Sequence, residues 1–119
     1  MNIEKVVENG KTIAVVSGKK VITDVQSALD LVMTVQYEMN TNQIALDKSA
    51  ITEEFFILST GLAGEILQKF VNYQIKCAIY GDYSRYTSKP LRDFIYESNQ
   101  GKDVFFADSR QAAISRLAE

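Results

Sequence analysis

Leu62-Ala63-Gly64-Glu65-Ile66-Leu67-Gln68-Lys69-Phe70 and, a few residues later, Ile75-Lys76-Cys77-Ala78-Ile79-Tyr80 decide the fold class of this 119-residue chain. In the first segment Leu62, Ala63, Ile66, Leu67 and Phe70 recur at helical spacing and share one face. In the second, only Lys76 interrupts an apolar run, the pattern of a strand covered on both faces. A helix followed by such a strand is the repeating unit of an α/β sheet.

The same alternation continues in both directions. Toward the C-terminus, Gly81-Asp82-Tyr83-Ser84-Arg85-Tyr86 reads as a loop and Pro90 marks the first turn of a helix with Leu91, Phe94 and Ile95 inward. Gly101 ends that helix, Val104-Phe105-Phe106-Ala107 is the last strand, and Asp108 or Ser109 caps a final helix carrying Ala113, Ile114 and Leu117.

Toward the N-terminus, Ile44-Ala45-Leu46 is a short strand closed by Asp47-Lys48. Thr52-Glu53-Glu54 could open a helical turn that sends Phe55 and Phe56 inward. A helix is predicted from Thr23-Asp24, with Thr23 and Gln26 as its capping box, to Asn40-Thr41-Asn42. Val25, Ala28, Leu29, Val32 and Met33 form its apolar stripe. Before it, Lys5–Glu8 and Thr12–Val16 flank Asn9-Gly10, a strong hairpin signal. The predicted order is β-β-α-β-α-β-α-β-α, a single-domain mixed sheet over residues 1–119. Its hairpin, with an antiparallel edge strand, is followed by parallel βα units.

Composition excludes more than it suggests. Histidine is absent, which removes Ser-His-Asp and Cys-His nucleophile activation and the usual zinc sites. One cysteine, Cys77, allows neither an intrachain disulfide nor a thiolate cluster. Thirteen Lys and Arg against 15 Asp and Glu leave a formal charge of -2 with no basic stripe, so nucleic acid is not an expected partner. No apolar run has the roughly 18 residues that a bilayer span needs, and Met1-Asn2-Ile3-Glu4-Lys5 lacks the apolar core of a secretory signal. A cytoplasmic protein without a resident cofactor or metal is the expectation.

Four stretches resemble a small bacterial family described as domain of unknown function 4180: Asp24–Leu31, Lys48–Glu53, Gly64–Phe70 and Tyr86–Lys89. That resemblance implies no activity. More distantly, the element order and Ser59-Thr60-Gly61-Leu62 resemble the STAS domain, the anti-sigma-factor-antagonist fold. There a hydroxyl-Gly-Leu motif opens the corresponding helix and a kinase phosphorylates a serine within it. Leu58 stands where STAS domains carry Asp, and the segment leading to the motif is a few residues longer.

Three places are candidates for function. Ser59 and Thr60 are candidate phosphoacceptors, with the helix-start amides of Gly61 and Leu62 to receive an anion; the plainer reading is an N-cap. Asp47, Lys48, Asp82, Arg85 and Asp108 lie at the C-terminal ends of the parallel strands, where open α/β sheets bind ligands. Loop Asp residues also commonly make Asx-turns. Tyr83 and Tyr86, with Tyr80, flank Arg85 as a candidate partner surface. No residue is assigned as catalytic. Glu53, Glu54 and Glu65 read as solvated carboxylates, and Cys77 as a small buried hydrophobe. The expectation is a non-enzymatic regulatory or interaction module with a protein partner. A small-molecule or cation site at the rim is the alternative, and a two-fold homodimer a third.

Overall fold

A computed structural model describes residues 1–119. β1 (Asn2–Glu8) and β2 (Lys11–Ser17) form the hairpin. Asn9 and Gly10 both have positive φ (53° and 75°), the primed turn that matches the twist of its strands. α1 (Val25–Met39), β3 (Gln43–Asp47), α2 (Leu62–Asn72), β4 (Lys76–Tyr80), α3 (Lys89–Gln100), β5 (Val104–Ala107) and α4 (Arg110–Leu117) follow. Three short 3-10 turns, Lys48–Ala50, Glu53–Phe56 and Leu58–Thr60, bridge β3 to α2.

The sheet order is β1-β2-β3-β4-β5, with β1 antiparallel and every other pair parallel. This is the predicted mixed sheet. Because the order never reverses, successive right-handed crossovers place α1, α2 and α3 on one face. Their core includes Ala14, Val16, Ile44, Leu46, Cys77 and Ile79 from the sheet, with Val32, Val35, Ile66, Phe70 and Leu91 from the helices. The alternate strand residues Ile13, Val15, Ala45, Ala78 and Phe105 face the other way and are covered by Ala113, Ile114 and Leu117 of α4. The strand pleat thus splits the apolar runs between two cores.

Helix starts follow the caps with one correction. Asp24, not Thr23, caps α1: its carboxylate accepts from the Ser27 amide (2.8 Å) while Ser27 Oγ accepts from the Asp24 amide (3.1 Å). The box is therefore Asp24 with Ser27, one residue on from Thr23 with Gln26. The buried stripe also turns: Ala28, Leu31, Val32 and Val35 are buried, Leu29 is only half-buried, and Met33 is exposed. Ser88 caps α3 ahead of Pro90, and Ser109 rather than Asp108 caps α4. Asn40 ends α1 in the left-handed conformation. No helix is long and apolar enough to cross a membrane.

Candidate functional site

The loop Gly81–Ser88, between β4 and α3, is where the candidate residues meet. Its first residue approaches the end of β3 closely: a Cβ on Gly81 would lie 2.7 Å from Cβ of Lys48. Only a glycine lets the loop leave β4 against that lysine stem.

Lys48 is held from the other side as well. Its side chain is only 12% exposed, with Nζ 5.2 Å from the Phe56 ring centroid, 4.8 Å from that of Tyr86 and 3.4 Å from Glu53 Oε1. Tyr86 completes the arrangement by donating its hydroxyl to Glu53 Oε2 (3.0 Å) and stacking on Phe56 at 5.3 Å and 16°. Burial pushes the Lys48 ammonium toward deprotonation, but Tyr86 and Glu53 outweigh it, so its pKa rises. For Glu53, burial acts upward and is outweighed by the Tyr86 hydrogen bond and the Lys48 charge, so its pKa falls. Three elements are latched together: the end of β3, the Glu53–Phe56 turn and the β4–α3 loop.

Tyr83 ties the start of the loop back to β4. Its hydroxyl donates to the Ile79 carbonyl (2.7 Å) and its ring meets Phe106 edge-on at 5.7 Å. Burial drives the phenol pKa upward. Phe56, Tyr86, Tyr83 and Phe106 thus form a continuous aromatic run under the loop.

This run separates two hollows of different chemistry. On one side a cleft of about 400 Å³ is lined by Asp47, Lys48, Ser49, Glu53, Gly81, Asp82 and Arg85, with no apolar side chain. On the other a hollow of about 540 Å³ is lined by Tyr83, Ser84, Tyr86, Thr87, Arg92, Ile95, Tyr96 and Asn99, with no carboxylate.

The strand-end candidates are distributed unevenly between them. Asp47 and Asp82 share the polar cleft with Lys48 and Arg85, but each serves its own turn. Asp47 Oδ1 accepts from the amide and hydroxyl of Ser49 (both 2.9 Å), and Asp82 Oδ1 accepts from the Ser84 amide (2.9 Å). The hydrogen bonds from Ser84 hold the Asp82 carboxyl below the usual range. Asp108 is apart, lining a third hollow beside α4 with Arg116 and Glu119. No three His, Cys, Asp or Glu side chains converge as a metal-ligand set. The consecutive strand order also lacks the reversal that opens a ligand crevice in doubly wound sheets.

The expected Tyr/Arg cluster separates too. Tyr80 points to the α4 face, away from the loop. Arg85 belongs to the polar cleft, whereas Tyr83 and Tyr86 face the other hollow beside Arg92 and Tyr96. Sequence reasoning missed Arg92, Tyr96 and Asn99 because they lie on α3 and only the loop's return brings the tyrosines opposite them. Their spacing along one helix face was the available signal.

At the start of α2, Thr60 and Ser59 differ. Thr60 Oγ1 lies within hydrogen-bond reach of the Glu54 and Ile57 carbonyls (3.0 and 2.9 Å) and accepts from the Leu62 amide (3.2 Å). Gly61, left-handed at φ 78°, occupies the cap position itself, and Glu65 N–H donates to its carbonyl. Thr60 therefore performs the capping work, while Ser59 is exposed and makes no hydrogen bond through its side chain. Cys77 is fully buried with its thiol pushed up to about 12 by burial.

Residues 8–117 match the model of a domain of unknown function (DUF4180). The chain belongs to that family. The DUF4180 match runs from the end of β1 through α4, so the loop and the two hollows beside it lie within it. No curated protein and no solved structure matches the chain.

Proposed function

We propose that the chain is a non-enzymatic regulatory or interaction module that docks a protein partner through the β4–α3 loop and the adjoining start of α2. The aromatic run from Phe56 to Phe106 carries this reading. Tyr83 and Tyr86 bond their hydroxyls to other groups of the chain, so they present held rings to the open hollow at little entropic cost on binding. The single cysteine is no available nucleophile, since the Cys77 thiol is buried and protonated at neutral pH.

In the switched form of this reading, similar to the STAS scheme, Ser59 is the phosphoacceptor and Thr60 is not, because the Thr60 hydroxyl is committed to the helix start. A phosphate there would add charge beside the partner surface. Affinity capture of the full chain from its source cell, read by mass spectrometry, tests the module; a stoichiometric protein partner is expected, and none at all would defeat it. Intact mass after incubation with host lysate and ATP tests the switch. One phosphate is expected, absent from Ser59→Ala. A chain left unmodified, whose partner binding ignores Ser59→Ala, removes that element alone.

The second reading, a small polar molecule at the strand ends, rests on the cleft that gathers Asp47, Lys48, Asp82 and Arg85. It predicts saturable ligand-induced shifts confined to residues 47–53 and 81–85 in a metabolite screen, and uniform silence there would end it.

A further inference from the structure

We propose that the hollow between the β4–α3 loop and α3 receives an acidic peptide segment bearing an apolar side chain, with Arg92 as the charge anchor and Tyr96 as the apolar wall. This rests on the interaction-module reading and specifies its partner. The neighbouring cation on α3, Lys89, is already engaged by Asp93 at 2.7 Å, whereas Arg92 forms no ion pair. With no carboxylate in the lining, Arg92 is the one charged side chain of this hollow, on a chain of net charge -2. A guanidinium left free beside apolar rings is suited to a carboxylate flanked by a hydrophobe.

Tyr96 lies one helical turn beyond Arg92 and is 68% exposed, a large apolar surface with nothing over it. Half-buried Ile95 continues that wall, and Ser84 and Thr87 supply hydroxyls at the opposite lip. The volume, about 540 Å³, suits one or two side chains of an extended segment rather than a folded surface. A nucleic acid would require several convergent cations, and this hollow offers one.

The experiment is an amide-resolved NMR titration of the full chain with two blocked hexapeptides that differ only in charge: Glu-Asp-Leu-Phe-Asp-Glu and Lys-Lys-Leu-Phe-Lys-Lys. The acidic peptide should shift the amides of residues 83–87 and 92–99 saturably, and the basic peptide should not. Arg92→Glu should weaken the acidic peptide by roughly tenfold or more, the loss of one anchoring charge, with the fold intact by thermal melt. Tyr96→Ala should weaken it independently of salt, whereas the Arg92 contribution should fade as salt rises. Equal binding to Arg92→Glu, shifts mapping elsewhere, or saturation of these amides by phenylacetate but by neither peptide would overturn the proposal. The two levels separate cleanly: a cellular partner captured equally well by Arg92→Glu sinks this site and leaves the module standing.

Discussion

The two sides of the β4–α3 loop are built from one backbone segment yet differ in almost every chemical respect. The side toward β3 carries three carboxylates, two cations and no apolar lining, and apart from Arg85, which forms no ion pair, its charge is consumed internally by the Lys48–Glu53–Tyr86 latch and two Asp-centred turns. The side toward α3 has tyrosine faces, an isoleucine and one unpaired guanidinium. Satisfied polar groups have little left to offer a ligand, whereas exposed rings and a free charge gain on being covered. The contrast is the basis on which the proposed docking is placed on the α3 side.

Phe56→Ala should break both sides at once, because Lys48 and both loop tyrosines pack on that ring. A loss of about 3–5 kcal/mol in urea unfolding is expected for a buried Phe truncation, with the hollows no longer distinct by NMR. A loss under 1 kcal/mol would mean the aromatic run is not what joins them.

Asn99→Leu should strike the side toward α3. The Asn99 amide pairs with both outward backbone groups of Phe106, accepting from its N–H (2.7 Å) and donating to its C=O (3.2 Å), so it stands in for a sixth strand. Removing it leaves two partly buried groups unpaired, a cost of about 1–3 kcal/mol. It also bares the β5 edge, so self-association should rise in analytical ultracentrifugation. A variant that stays equally stable and monomeric would show that the edge needs no such cover.

Gly81→Ala strikes the structural side, forcing Lys48 to give way. About 1–3 kcal/mol is expected from that overpacking, with shifts concentrated at residues 47–53. If shifts appear equally at 92–99, the two sides are coupled rather than independent.

The smallest effect is the pH dependence of the latch. Glu53 has a folded pKa below its ordinary 4.5, so its contribution is present above that value and is lost as pH falls through the folded pKa. Lys48 has a folded pKa above its ordinary 10.5, so its contribution is complete below that value and is lost as pH rises through the folded one. The latch is therefore intact from about pH 5 to 10, and Glu53→Gln should flatten the acid limb of a thermal-melt series. An unchanged acid limb would show that Glu53 does not contribute.

Most of the architecture was legible because hydrophobic period and punctuation agreed along the chain: Asn9-Gly10 in the hairpin, the unbroken run at Ile75–Tyr80, and Pro90 and Gly101 bounding α3. The α1 frame slipped because Thr23 with Gln26 and Asp24 with Ser27 both fit a cap three residues apart. The choice fell to a reciprocal hydrogen-bond pair that the residue types alone do not rank. The strand ends were correctly placed, but which Asp residues share a cleft depends on loop paths, and Asp108 follows β5 to a different hollow. For Arg92 and Tyr96 the shared helix face was legible but its role was not. On α3 they read as ordinary solvent-facing residues, and their meaning comes from tyrosines across the loop.

One consequence follows from α4 standing alone on its face of the sheet. Ile13 and Val15 are made well before the helix that covers them, with three βα units lying between in the chain. A nascent chain must hold that greasy flank bare until α4 has been translated. Premature termination within Arg110–Leu117 should thus yield an aggregating, chaperone-bound product rather than a slightly weakened one.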